Sequence, residues 1–277
     1  MSDSRALLSE GARRLAAAGV ESPRLDARVL WEHAQTLSSV HEGGGPEGGA
    51  AIEHFECFIS RRRTREPLAY ITGRKEFWSL DFEVGPGVLI PRPETETIVE
   101  QALALLPDRS AALRVLDLGT GSGCLLVSLL KEFPNSRGLG VDNSEKARRY
   151  ATANIRRHGL NSRAEIRAGN WDEDIDGTWD VIVSNPPYIK FAELAGLAPE
   201  VGFEPIEALD GGIDGLASIR LLAGAMARLL SGVGLAEIGA GQEQDAAAAM
   251  VVAGLRVARI ATDLAGIPRV MAVRPAG

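Results

Sequence analysis

The chain reads as an α/β protein: a doubly wound, mostly parallel sheet preceded by a small all-helical domain. Three observations carry this. From Arg114 onward, short apolar runs alternate with helical periodicity, the mark of repeated βα units that build a parallel sheet covered on both faces. The first of those runs ends in Gly119-Thr120-Gly121-Ser122-Gly123, and a helix, a strand and an acid follow, which is the layout of a nucleotide site. Near the N-terminus the apolar residues recur instead at the spacing of helices.

Taken in order, Leu7, Leu8, Ala12, Leu15 and Ala16 lie on one helical face, and Ala27, Leu30 and Ala34 on a second. Gly19 to Pro23 separates them, with Ser22 as cap and Pro23 in the first turn. Glu42 to Gly49 is mostly glycine and reads as a flexible loop. A helix from about Ala51 to Arg65 turns Ile52, Phe55, Phe58 and Ile59 inward. It closes a helical domain over 1–73. The cluster Arg61, Arg62, Arg63 and Arg65 suits the solvated end of that helix, or alternatively a contact with phosphate or an acidic partner.

Residues 74–92 are expected to form a β-hairpin linker. Phe77, Leu80, Phe82, Val84, Val88 and Leu89 are interrupted by Gly85-Pro86-Gly87, which predicts the turn there. Residues 93–277 then form the α/β domain. Prolines 91 and 93 lead into a helix with Ile98, Val99, Ala102 and Leu105 on its apolar face. Strands are expected at Arg114–Leu118, Arg137–Val141, Arg163–Arg167, Trp179–Ser184, Leu235–Ile238, Val257–Ile260 and Val270–Val273. Helices are expected at Cys124–Glu132, Glu145–His158 and Leu216–Leu230.

Composition narrows the function. The 277 residues are 45% hydrophobic, enough for a substantial core, and the net charge of −7 disfavours non-specific adhesion to nucleic acid. Two cysteines, Cys57 and Cys124, make neither a disulfide framework nor a zinc site, and the four scattered histidines lack ligand spacing, so no metal is expected. A basic-then-apolar leader and a run able to span a bilayer are both missing, so a cytoplasmic location is expected.

Two constellations carry chemistry. The first is the glycine loop, where the backbone can approach a ligand closely and the following helix offers free N–H groups. Asp142, about 20 residues further on, can accept both hydroxyls of a ribose. The spacing Gly-x-Gly-x-Gly, with Asp117 two residues ahead, differs from the dinucleotide form Gly-x-Gly-x-x-Gly. Trp171, after the third strand, can cover an adenine face. The second constellation is Asn185-Pro186-Pro187-Tyr188 at the carboxyl end of the fourth strand, where ligands of open α/β sheets bind. Asn185 and the carbonyls beside the prolines offer acceptors to a planar NH2 group, and Tyr188 offers a stacking face. An amide or aryl NH2 has a delocalised lone pair. Accepting its two N–H bonds returns electron density to nitrogen and aims the lone pair. A glutamine amide and the exocyclic amine of a base both satisfy this, and binding without turnover or a nicotinamide oxidoreductase are further readings.

The glycine loop with Asp117 resembles motif I of class I S-adenosylmethionine (AdoMet) methyltransferases, which implies a Rossmann-like fold. Asn185-Pro186-Pro187-Tyr188 resembles their motif IV for planar nitrogens. The block Glu66-Pro67-Leu68-Ala69-Tyr70-Ile71-Thr72-Gly73, the block Pro91-Arg92-Pro93-Glu94-Thr95-Glu96, then Glu204-Pro205 and Glu237-Ile238-Gly239 with Gln242, resemble the peptide chain release factor N5-glutamine methyltransferases, the HemK/PrmC family. The likeness covers nearly the whole chain. It implies N5-methylation, with AdoMet as cofactor, of the glutamine in the Gly-Gly-Gln loop of class 1 release factors. Substrate contacts then fall on Asn185, Pro186, Pro187 and Tyr188. Cofactor contacts fall on Gly119, Thr120, Gly121, Ser122, Gly123, Asp142, Trp171 and Asn185. The helical domain would dock the release factor. No direct nucleic acid contact, no membrane contact and a monomeric state are expected. Residue 170 is Asn where the family usually has Asp, and the Gly43–Gly49 insert is peculiar to this chain.

Overall fold

The computed structural model describes residues 2–42 and 49–276, which form two compact units: Met1–Arg74 with Ala198–Phe203, and Lys75–Leu197 with Glu204–Gly277. The glycine-rich stretch after Glu42 lies outside the described residues.

The first unit is helical. Helices α1 (Ser2–Ala17), α2 (Pro23–Glu42), α3 (Gly49–Arg63) and the single-turn α4 (Leu68–Thr72) enclose Leu15, Leu30, Trp31, Phe55 and Ile59. Its arginine cluster divides: Arg63 is exposed at the end of α3, as a solvated helix end requires, and the other three are paired. Arg61 pairs with Glu66 at 2.6 Å and the buried Arg62 with Asp26 at 2.7 Å; Arg65 pairs with Glu200 at 2.6 Å. Carboxylates consume the charge because a buried guanidinium is tolerated only when paired. The Arg65 and Arg62 hydrogen bonds outweigh burial at Glu200 and hold its carboxyl down at about 2.

From Lys75 the second unit opens with β1 (Arg74–Phe77), whose first residue closes the first unit, and β2 (Leu80–Glu83), a two-stranded hairpin. Its turn is Trp78-Ser79, not Gly85-Pro86-Gly87. Trp78 and Ser79 both take positive φ, 53° and 56°, as a two-residue hairpin turn of the mirror-image type requires. Carboxylates compensate for this strained backbone. Glu96 Oε1 accepts the Trp78 N–H at 2.8 Å, and Glu76 Oε1 accepts that of Ser79 at 2.6 Å. The glycines serve instead for close approach: a Cβ on Gly85 would lie 2.2 Å from the Tyr150 hydroxyl.

Beyond the hairpin, a 3-10 turn at Pro93–Thr95 leads into α5 (Glu96–Leu105). The sequence then alternates β3 (Arg114–Leu118), α6 (Cys124–Glu132), β4 (Arg137–Asp142), α7 (Glu145–Arg157), β5 (Ala164–Ala168) and β6 (Trp179–Ser184). It ends with α8 (Ala217–Leu229), β7 (Leu230–Glu237), α9 (Glu243–Val252), β8 (Leu255–Thr262) and β9 (Pro268–Pro275). The strands form one sheet in the order β5-β4-β3-β6-β7-β9-β8; the first five are parallel and β9 runs antiparallel to both neighbours. α9 escapes the sequence reading because its alanine-rich segment carries almost no amphipathic signal.

Strands β3 and β6 are buried on both faces, which explains their continuous apolar runs. Alternation sends Val115, Val181 and Val183 to a core with α5 and α6. It sends Leu116, Leu118 and Ile182 to a second core with α8. The chain goes outward from β3 through β4 to β5, then returns to β6 on the other side of β3. The reversal opens a crevice at the carboxyl ends of β3 and β6, where ligands of such sheets bind.

Candidate active site

Both sequence constellations end at that crevice. It is a cavity of about 550 Å³, inside the range of about 300–1,000 Å³ usual for small-molecule sites. Gly119, Thr120, Gly121 and Ser122 line it from β3, Asp142 from β4, Asn170 and Trp171 after β5, and Asn185 and Pro187 from β6. The Ser184 hydroxyl donates to the Leu118 carbonyl at 2.7 Å and ties the two central strand ends together.

The β3 side is built from backbone. Gly119 and Gly121 take φ of +72° and +56°. A Cβ on Gly119 would meet no protein atom within 4 Å, so the loop turns bare backbone toward open space. Asp142 braces it: Oδ2 accepts the Gly121 N–H at 2.9 Å and Oδ1 that of Ser144 at 2.8 Å. Each oxygen keeps a further lone pair for a hydroxyl. Burial pushes the Asp142 carboxyl up, against the pull of those two N–H groups. Beneath the loop, Asp117 Oδ2 accepts the Thr120 hydroxyl at 2.6 Å while Oδ1 is buried without a partner. Asn154 adds a clamp. Its Nδ2 donates to the carbonyls of Ser122 (2.9 Å) and Glu83 (3.0 Å), and its Oδ1 accepts the Glu83 N–H at 2.7 Å.

The β6 side is built from side chains. Asn185 Nδ2 donates to Thr95 Oγ1 at 3.0 Å. The Thr95 hydroxyl donates to Glu237 Oε2 at 2.6 Å, and the Tyr188 hydroxyl to Glu237 Oε1 at 3.0 Å. Glu237 is 1% exposed. Burial pushes its carboxyl up while the Thr95 and Tyr188 hydroxyls pull it down. The Tyr188 hydroxyl is itself raised by burial and by the Glu237 charge. Gln242 Nε2 holds the Tyr188 carbonyl at 3.0 Å.

Not every expected residue reaches the cavity. Gly123 caps α6, with φ of +80°, and Pro186 is buried off the wall. Tyr188 lines a different and larger depression, of about 1,060 Å³, with Lys190, Arg220 and Gln242. Its hydroxyl is bonded to Glu237, and Tyr188 is not among the residues that line the smaller cavity. Trp171 does line the wall, in a left-handed conformation (φ +55°) that costs energy for a bulky residue. Cys124, at the start of α6, has its thiol pushed up to about 12 by burial, so the helix end does not activate it.

Thr95 and Glu237 gain a role that spacing could not reveal, because 142 positions separate them. The crowded block that begins at Pro91 resolves with them. Arg92 pairs with Glu204 at 2.5 Å, Glu204 also accepts the Ile90 N–H at 3.0 Å, Thr95 joins Asn185 to Glu237, and Glu96 supports the hairpin turn.

Residues 6–73 match the family model described as PrmC N-terminal domain, and residues 99–197 match Methyltransferase small domain. A release factor glutamine methyltransferase from Rhodospirillum rubrum is 45% identical over 277 residues, covering 97% of this chain and 84% of the relative. The chain belongs to the release factor glutamine methyltransferase family. A second such methyltransferase, from Caulobacter vibrioides, is 40% identical and covers 93% of this chain and 91% of the relative. The hMettl16 catalytic domain, solved in complex with MAT2A 3'UTR hairpin 6, overlays with a TM-score of 0.59. It covers 78% of this chain and 81% of that one at 15% identity, a likeness of fold alone. Among the described residues of this family member, no helix is long and apolar enough to cross a membrane.

Proposed function

We propose that this protein methylates the side-chain amide nitrogen of the glutamine in the Gly-Gly-Gln loop of class 1 release factors, with AdoMet as the methyl donor. The family membership supports the substrate. One observation carries the chemistry. Asn185 stands on the cavity wall with its NH2 committed to Thr95, which leaves its carbonyl oxygen as the acceptor for an incoming amide N–H.

The residues present fit AdoMet. The bare backbone of Gly119 leaves open the space that a side chain would fill, and the two Asp142 oxygens retain lone pairs for a ribose. Gly119, Thr120, Gly121 and Ser122 would hold the amino-acid part, Asp142 the ribose, and Asn170 and Trp171 the adenine. Gly123 serves this site by shaping the loop rather than by contact. Bound AdoMet supplies a methyl group made electrophilic by the sulfonium it leaves.

The chain's own residues bind and aim. Asn185 Oδ1 and a main-chain carbonyl beside the prolines accept the two N–H bonds of the glutamine amide, which orients its lone pair and enriches its nitrogen. Pro187 stiffens the strand end, and Tyr188 anchors it through Glu237. No ionised base is asked for, since an amide proton can leave to water once the new bond has formed. The helical unit would recruit the release factor, and the enzyme would act in the cytoplasm as a monomer.

Purified protein, labelled AdoMet and release factor test this. Label should appear on the wild-type factor and vanish when the loop glutamine is replaced by alanine. An unlabelled factor, or equal label on both, would sink the reading.

A further inference from the structure

Hydrogen positions, not shape, decide whether Asn185 is useful. Its amide presents an acceptor to the cavity in one flip state and a donor in the other, and the two states occupy nearly the same volume. Only the acceptor state can receive a substrate N–H. Something must choose between them, and the choice is visible in the bond directions behind the strand end.

In its ionised form Glu237 can only accept, and here both its oxygens face hydroxyls that donate to them. Its Oε2 takes the one proton that the Thr95 hydroxyl owns, at 2.6 Å. Thr95 Oγ1 then has lone pairs and nothing left to give, so the group facing it at 3.0 Å must be a donor, Asn185 Nδ2. The carbonyl of Asn185 is thereby driven to the other side. The Tyr188 hydroxyl, 3.0 Å from Oε1, fills the second oxygen of Glu237 and leaves the carboxylate no reason to turn. Thr95 and Glu237 are 2% and 1% exposed, so water does not compete for these bonds.

We propose that Glu237 and Thr95 are positioning residues that set the amide of Asn185 in its acceptor state, with Tyr188 holding Glu237 in place. The proposal rests on the glutamine methyltransferase reading of the site. It gives a purpose to the bonds that run from the end of β7 through the turn before α5 to the end of β6. An acceptor-only group at one end of this three-member chain dictates the polarity at the other end. Replacing Glu237 by Gln supplies a donor to the first end. The Thr95 hydroxyl can then turn round, and the Asn185 amide loses its preference.

The test compares Thr95→Val, Thr95→Ser and Glu237→Gln with wild type in steady-state release-factor methylation, with AdoMet affinity measured by calorimetry. Val keeps the shape of Thr without its hydroxyl. Thr95→Val and Glu237→Gln should each lower kcat about 10–100-fold, with AdoMet affinity within about threefold. Thr95→Ser should recover most of the loss. In an Asn185→Ala background, Thr95→Val should add almost nothing, because the group it orients is gone. A Thr95→Val enzyme with kcat within about twofold of wild type overturns the proposal. So does a Thr95→Ser enzyme as slow as Thr95→Val, or full additivity with Asn185→Ala. If Glu237→Gln fails to fold, the Thr95 pair and the double variant still decide. A wild-type enzyme that leaves the glutamine unmethylated would instead sink the function itself, which separates the two failures.

Discussion

The ends of β3 and β6 are neighbours in one sheet and wall the same cavity, yet they are built in opposite ways. The β3 end is a backbone surface: glycines at positive φ, and an aspartate that braces the loop through main-chain N–H groups. The β6 end is a side-chain device, with Asn185 held by Thr95, Thr95 by Glu237, and Glu237 shared with Tyr188. The difference follows from what each end must do. A cofactor of fixed shape can be held by fixed backbone, whereas aiming one lone pair needs a group whose polarity is set from behind.

The sharpest way to separate the two ends is Asn185→Ala. It should cut turnover by about 10²-fold or more while AdoMet affinity stays within a few-fold, because alignment is lost and the β3 end is untouched. Single-turnover methylation of release factor reads this. A near-normal rate would remove Asn185 from the chemistry.

Next in size is Asn154→Ala, which attacks the support of the β3 end. Asn154 is fully buried and makes three hydrogen bonds that join the glycine loop to the end of β2. Removing it leaves the buried Ser122 carbonyl unpaired and frees the partly buried main chain of Glu83, at about 2 kcal/mol. Urea unfolding should show a lower midpoint with an unchanged slope. Stability within about 0.5 kcal/mol of wild type would mean that other groups hold the loop.

Asp142→Ala should be smaller and should fall on binding. It removes the acceptor for the Gly121 and Ser144 N–H groups and for the proposed ribose contact. AdoMet affinity should drop about 10-fold or more, with kcat at saturating cofactor changed much less. If kcat fell while affinity held, the division of labour between the two strand ends would be wrong.

The same contrast explains what can be read from the chain. The β3 end is local: glycine spacing, the acid two residues ahead and the acid after the next strand all lie within 26 positions, from Asp117 to Asp142, and the structure seats Asp142 against the loop. The succession of parallel strands is legible for the same reason, since each βα unit writes its own period. The β6 network is not legible. Thr95 and Glu237 stand out within motif blocks, but only the folded sheet brings positions 95, 185 and 237 together. The hairpin turn misleads because Gly85-Pro86-Gly87 is a strong local turn signal, whereas Trp78-Ser79 is held open by Glu96, a partner 18 positions away. α9 escapes notice because alanine has no face to show.

The gentlest probe concerns Asp117, which the β3 end buries with one oxygen unpartnered. Burial pushes its carboxyl up to about 7 from an ordinary 3.8, and the Thr120 hydroxyl only partly opposes this. The sign follows from where protons are held. Between about pH 4 and 7 the unfolded chain has released this proton and the folded one retains it, so stability falls as pH rises through that window and levels off above it. Asp117→Asn keeps the shape and an acceptor for Thr120 but cannot titrate. Its Tm should decline less than that of wild type between about pH 4 and 7, and above that window it should be at least as stable. Glu237, also raised by burial, contributes a slope of the same sign to both proteins and cancels in the comparison. Parallel Tm–pH curves for the two proteins would show that Asp117 is ionised in the fold. The β3 end would then carry a fixed negative charge beneath its loop, and its contrast with the acid-terminated chain at β6 would narrow to geometry alone.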